Sequence, residues 1–280
     1  MNKLSREKRS QIIAALVEGN SIRATCRMTD SSKGAVTKLL VELGEACAEY
    51  QDKALRNLTC KRIQCDEIWG FVGKKQKQVK ETDGAGVGDM WTWVAIDADT
   101  KLVPCWLVGK RDAGYAFQFI SDLSEKLSNR VQLTTDGHKA YLTAVEDTFG
   151  TDVDYAMLVK LYGSAPEGDT RYSPPECVYV RREVIIGSPD VAKISTSYIE
   201  RQNLTMRMSM RRFTRLTNAF SKKVENLRHS VAIHFMHYNF CRIHKTLRVT
   251  PAMEAGVSSH VWSIGEIVDL LEEREVKKAA

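Results

Sequence analysis

Arg62-Ile63-Gln64-Cys65-Asp66-Glu67-Ile68-Trp69-Gly70 reads as one buried strand with an acidic pair in its middle. Isoleucine, cysteine and tryptophan closed by a glycine suit a strand. Two adjacent carboxylates there are costly to bury without a positive partner or a metal. A local rule broken in this way is the mark of a functional site. Neighbours on a strand point to opposite faces, so only one of Asp66 and Glu67 is expected to serve such a site.

Downstream the pattern stays strand-like. Gly73-Lys74-Lys75-Gln76-Lys77 and the glycine-rich Asp83 to Asp89 suit a flexible connection. Met90 to Asp97 and Leu102 to Val108 complete an antiparallel meander. A helix is predicted over Gly114 to Leu127, then an apolar strand, Val131 to Gly137, that ends on Asp136. Another helix, His138 to Phe149, precedes a fifth strand near Tyr155 to Leu161. Residues 162–196, with Pro166, Pro174, Pro175 and Pro189, read as an irregular insert with room for a short hairpin around Val178 to Ile186. Ser197 then opens a long helix to Arg215, and Glu200 three residues on matches a capping box. Capping alone would account for Glu200. Helices over Lys222 to Phe240 and Ile264 to Glu273 follow, the second within a C-terminal helix and charged tail, 256–280.

Upstream, residues 1–50 read as three helices, capped by Ser5, by Ser21 and by Ser31 or Ser32, with a tight turn before the third. The arrangement resembles a helix-turn-helix module, whose last helix would enter a DNA major groove through Ser32, Lys33, Thr37 and Lys38. A small bundle that only packs on the next domain is the alternative. Residues 51–60 are expected to be a linker. The whole order describes an α+β protein: an N-terminal all-α helix-turn-helix unit, then an RNase H-like α/β domain over 61–255 with a mixed five-stranded sheet.

In such a sheet Asp66 in mid-strand and Asp136 at the end of a neighbouring strand lie side by side, with Glu200 reaching over from a helix. Three converging carboxylates repel one another and imply divalent cations. Oxygen ligands favour Mg²⁺ or Mn²⁺ over zinc. Two such ions about 4 Å apart serve phosphoryl transfer, activating the attacking oxygen and stabilising the leaving one.

Cys65-Asp66-Glu67-Ile68-Trp69 with Gly73-Lys74-Lys75, Thr135-Asp136-Gly137, and Tyr198-Ile199-Glu200-Arg201-Gln202-Asn203 resemble the DDE transposases of bacterial insertion sequences, closest to the IS1 family. The basic segment Met208 to Phe220 and the closing residues Tyr238-Asn239, Arg242, His244, Leu247 and Thr250-Pro251 are similar to the same proteins. The resemblance covers most of the chain. It implies a catalytic and metal-binding triad of Asp66, Asp136 and Glu200, since the first carboxylate of that family leads its acidic pair. It also implies Arg207 as a phosphate-holding residue two helical turns after Glu200. The gap from Asp136 to Glu200 is sixty-four residues, longer than in compact integrases, which leaves Glu176 and Glu183 as substitutes for Glu200. The implied reaction is hydrolysis of a phosphodiester at each element end and attack of the freed 3′ hydroxyl on target DNA. A homo-oligomer, at least a dimer on double-stranded DNA, is implied because two ends must be held together. A nuclease of the same fold that cuts without joining, and a DNA-binding regulator on a degenerate catalytic fold, are the rival readings.

The net charge of +6 is modest for 280 residues, so its distribution matters more than its sum. Arg201 to Arg228 holds eight Lys or Arg against Glu225 alone. Arg201, Arg207, Arg211, Arg212 and Arg215, with Lys74, Lys75, Lys33, Lys38 and His244, are the expected DNA contacts. A solvated helix face is the plainer account of such a run. His229, His234 and His237 share one helix but lack the ligand set for zinc. Trp69, Trp91, Trp93 and Trp106 fall on predicted strands and are expected to pack. Seven scattered cysteines make neither a disulfide framework nor a zinc pattern and read as buried thiols. No apolar run approaches the eighteen or so residues of a membrane span, and no signal core follows Met1. The expected location is cytoplasmic, at the nucleoid when bound to DNA.

Overall fold

A computed structural model of the chain describes residues 4–163, 176–214 and 217–279. Ser5, Ser21 and Ser32 each accept a backbone N–H from three residues on, satisfying donors that a helix start leaves open. They begin α1 (Arg6–Val17), α2 (Ile22–Met28) and α3 (Lys33–Ala54). Gly19, at φ 81°, follows α1 in the left-handed conformation a glycine tolerates. Helix α3 continues past Gln51, where a linker was expected to start. The buried Gln51 amide donates to the carbonyls of Cys47 and Ala232, which anchors this end of the helix.

The meander is β1 (Arg62–Val72), β2 (Gly88–Asp97) and β3 (Cys105–Gly109). Then α4 (Ala113–Lys126), β4 (Gln132–Thr135), α5 (Ala140–Phe149) and β5 (Asp154–Tyr162) alternate helix with parallel strand. The sheet does not stop at five strands. β6 (Cys177–Ile186) pairs antiparallel with β5, and the order is β3-β2-β1-β4-β5-β6. The run Val178-Tyr179-Val180 and Val184-Ile185-Ile186 has strand-forming residues on both sides of a charged centre, so one long strand forms where the sequence suggested a short hairpin. Pro166, Pro174 and Pro175 lie outside the described residues.

Helix α6 (Ser197–Ser209) is shorter than the predicted helix to Arg215. It stops before Met210, and a single turn, Arg211–Phe213, follows. α7 (Val224–Met236) runs into a π-helical turn at His237–Cys241, and α8 (Pro251–Glu254) and α9 (Ile264–Ala279) close the chain. One face of the sheet shares a continuous core with the N-terminal helices, from Ile12, Val36 and Leu43 to Ile63, Trp93, Leu133 and Tyr141. The other face packs Ile68 and Val94 against Ile199 and Met206 of α6 and Phe235 of α7. A Cβ on Gly44 of α3 would come within 2.3 Å of the Cβ of His229, so the glycine permits the close approach of α3 and α7.

Cys47, Cys60, Cys65 and Cys105 are buried free thiols as expected, but Cys177 is exposed and Cys26 and Cys241 are half-buried. No described helix is long and apolar enough to cross a membrane.

Candidate active site

Strand pairing brings the first two carboxylates together. β1 and β4 are parallel neighbours with Cys65 opposite Thr135, so Asp136, the residue after β4, emerges beside Asp66. Gln64 lies two residues before Asp66 and shares its face. Its Oε1 accepts the backbone N–H groups of Tyr198 and Ile199 at 2.9 and 3.1 Å, capping the start of α6 from the strand. Farther along the helix, Asn203 Nδ2 donates to Asp66 Oδ2 at 2.9 Å. These contacts fix α6 across β1 and bring Glu200 over the same ground.

Glu200 takes bonds on Oε1 from Lys160 Nζ of β5 and from Thr196 Oγ1. The expected capping box does not form. Thr196 is the N-cap, Ser197 is already helical, and Glu200 sits in the fourth helical position, its carboxylate held by Thr196 and Lys160. Burial, with the charges of Asp136 and Glu200, pushes the Asp66 carboxyl up to about 6, against hydrogen bonds from the Glu67 backbone and Asn203. Asp66 thus feels both of the other carboxylates.

Glu67 points to the opposite face, where its side chain is 0% exposed. Arg111, in the turn between β3 and α4, donates to Glu67 Oε2 at 2.9 Å and lies 3.4 Å from Asp136 Oδ2. Its guanidinium rests over the Trp91 ring, 4.8 Å from the centroid. Burial and Asp136 push Glu67 up to about 7, with Tyr141 and Arg111 opposing. Strand alternation separates Asp66 from Glu67 in direction but not in reach: one oxygen each of Asp66, Glu67 and Asp136 lie within 4.8 Å of one another. Asp136 lies beyond the last β1–β4 pair, so the pleat does not confine its carboxylate to one face. This all-oxygen set fits a hard divalent cation, whose charge would offset the crowding that raises Asp66 and Glu67.

The substitutes for Glu200 are not brought here. Glu183 pairs with Arg181 on the outer strand, and Glu176 is exposed beyond the start of β6. Among the described residues the one group placed to hold a metal is Asp66, Glu67 and Asp136; the histidines of the α7 region form none, and Glu200 stands outside that group. Trp93 is fully buried, and Trp106 packs on Phe235.

The expected DNA contacts are scattered. Arg201 and Arg211 are exposed. Arg207 donates to the Phe213 carbonyl at 3.4 Å. Arg212 is half-buried, donates to Ser221 Oγ at 2.7 Å and is pushed down to about 10 by burial. Lys74 pairs with Asp83 at 2.8 Å, and Lys38 lies 3.6 Å from Glu42. Lys33 and Lys75 are exposed, and His244 Nδ1 contacts Thr246 Oγ1 at 3.0 Å. Arg215 lies outside the described residues. Sequence reading missed Gln64, Arg111, Lys160 and Asn203. The spacing of Gln64 to Asp66 and of Asn203 to Glu200 would have pointed to two of them, whereas nothing local marks Arg111.

No protein-family model matches the chain, and no curated protein matches its sequence. Solved structures similar to it include Mos1 transposase in a paired-end complex with the left transposon end, at 17% identity and TM-score 0.25 over 55% of this chain and 60% of that one. A piggyBac transposase synaptic complex with hairpin DNA gives 10% identity and TM-score 0.44 over 98% and 73%. A Mos1 mariner paired-end complex with Mn gives 15% and 0.23 over 55% and 60%. The chain thus spans about 60% of the length of the Mos1 chains.

Proposed function

We propose that the chain is a DDE-type DNA transposase of the IS1 kind, which cleaves phosphodiesters at element ends and joins the 3′ hydroxyls to target DNA. The observation that supports this reading is the pairing of Asp66 with Asp136 from adjacent parallel strands, beneath a helix that is pinned to β1 through Gln64 and Asn203 and carries Glu200 near enough to raise the Asp66 carboxyl. Asp66, Asp136 and Glu200 would hold two Mg²⁺ or Mn²⁺ ions, and Glu67 stands within reach of the same position. Bound there, such ions supply charge to the attacking and leaving oxygens of an in-line displacement.

The chain's own residues orient the parts. Asn203 holds one Asp66 oxygen, the His138 N–H holds one Asp136 oxygen at 2.9 Å, and Arg111 faces the other. In the first step a water oxygen bonds to phosphorus and the bond to the 3′ oxygen breaks, leaving a 3′ hydroxyl and a 5′ phosphate. In the second that hydroxyl attacks a target phosphodiester, losing its proton as a target oxygen leaves. No side chain is consumed as a nucleophile. The exposed Arg201, Arg211 and Lys75, with Lys74 beside Asp83, would contact phosphates. Helices α1 to α3 would read the element ends through Lys33 and Lys38. The protein would work in the cytoplasm, at the nucleoid.

The test incubates the protein with DNA spanning its own gene's flanks and a target plasmid, with Mg²⁺, Mn²⁺ or chelator. Metal-dependent joining is the expected result. Metal-dependent cleavage without joining would replace the transposase reading with a nuclease, and binding alone with a regulator.

A further inference from the structure

β6 is the outermost strand of the sheet, and none of the described elements pairs with it on its outer side. Val178, Tyr179 and Val184 are 65%, 57% and 51% exposed. A long apolar edge of this kind is a template for another strand. We propose that β6 pairs antiparallel with β6 of a second copy about a two-fold axis at Arg182, joining two sheets into one.

Self-complementarity of the strand carries the inference. A two-fold antiparallel pair keeps the same face of both sheets on the same side, so its axis passes through a residue. The regular run of β6 is Tyr179 to Val184, between register shifts at Val178 and Ile185; with Arg182 on the axis, Arg181 of each copy faces Glu183 of the other and Val180 faces Val184. Moving the axis one residue sets Glu183 against Glu183, or Arg181 against Arg181, and leaves no opposite-charge pair. Arg181 and Glu183 already bind each other along the strand, which places both on one face. Arg182 points to the other face, where its Nε donates to the Ile194 carbonyl at 3.4 Å. That bond draws the two axial guanidiniums back toward their own chains. Edges guarded by charge repel a second copy through one sign, whereas this centre carries both signs in complementary order. The inference names the contact of the proposed homo-oligomer, and its test reads mass rather than activity, so it stands or falls apart from the transposase reading.

The full chain is measured by size-exclusion chromatography with light scattering at micromolar concentration. Wild type is expected to be a dimer. Arg181→Glu alone and Glu183→Arg alone are expected to be monomers with unchanged circular dichroism, and their equimolar mixture a dimer again. Each substitution also breaks the pair within its own strand, so recovery on mixing reports pairing between copies. A monomeric wild type, single variants that stay dimeric, or a mixture that stays monomeric overturns the proposal. Register is tested in a Cys177→Ser background. Arg182→Cys faces its own counterpart across the axis and should oxidise to a covalent dimer, whereas Val178→Cys should not. The reverse pattern overturns the axis.

Discussion

The acidic group at the β1–β4 seam and the basic run after Glu200 are opposites in how they are built. Asp66 and Asp136 are far apart in sequence and come together through parallel pairing, while a helix pinned by Gln64 and Asn203 carries Glu200 toward them. The basic run is contiguous in sequence and diverges in space: Arg207 and Arg212 turn onto the protein's own Phe213 and Ser221, while Arg201 and Arg211 face solvent. Charge density along a chain therefore does not measure a surface. Convergence of like charges against their own repulsion is the more informative sign, because it has to be maintained by named partners.

The largest expected effect lies on the acidic side. Asp136→Asn removes a charge that both Asp66 and Glu67 feel. It should lower strand cleavage by about a thousandfold, since several kcal/mol of charge stabilisation is involved and about 1.4 kcal/mol is tenfold. Gel-shift binding of the same DNA should persist; equal cleavage by variant and wild type would remove Asp136 from the site.

A buried titratable group without partners gives the contrast to these held carboxylates. Neither ring nitrogen of His234 has a hydrogen-bond partner among the described residues, and burial pushes it from 6.5 down to about 3. The depressed value fixes the sign: its stability is present in full above pH 6.5 and is lost as pH falls from 6.5 toward 3. The loss should run at about 1.4 kcal/mol per pH unit. Because the raised Asp66 and Glu67 carboxyls contribute in the opposite direction over the same range, the reading from denaturant unfolding is the difference: between pH 7 and 5 wild type should lose stability relative to His234→Leu at this rate, and parallel curves would contradict it.

Arg111→Met leaves the buried Glu67 without its cation. Breaking a fully buried pair costs about 3–5 kcal/mol. Arg111 is 33% exposed, so a loss of about 2 kcal/mol is expected after solvent screening, read as a shift in urea midpoint. An unchanged midpoint would mean that the pair with Arg111 contributes nothing to stability.

The smallest effects divide the basic run itself. Arg211→Ala should weaken DNA binding and reduce its salt slope by about 1. Arg212→Ala should leave that slope unchanged and lower stability by about 1 kcal/mol through the loss of its bond to Ser221. If both variants change the slope equally, the run acts as one surface and the contrast drawn here fails.

Much of the sheet was legible because its strands announce themselves. Period-two apolar runs and short turns placed β1 to β5 and the helices between them, and the order alone set Asp66 beside Asp136. β6 was not legible because Arg181, Arg182 and Glu183 interrupt its apolar pattern and prolines precede it. Ser197 and Glu200 matched a capping pattern that the chain shifts by one residue, since Gln64 supplies the cap from another element. Arg111 was invisible for a similar reason: it sits beside an ordinary helix cap, Asp112, and acquires its role only by crossing Trp91 to reach β1. Residues whose partners come from their own segment can be read locally, and these could not.

The central claim is that Glu200 completes a unit with Asp66 and Asp136, although it is partly exposed and bound to Lys160. The direct measurement is Mn²⁺-dependent nicking of flank DNA by wild type, Glu200→Gln and Glu176→Gln, with DNA binding recorded for each. The account predicts that Glu200→Gln binds DNA but does not nick it, while Glu176→Gln matches wild type. Undiminished nicking by Glu200→Gln would contradict it.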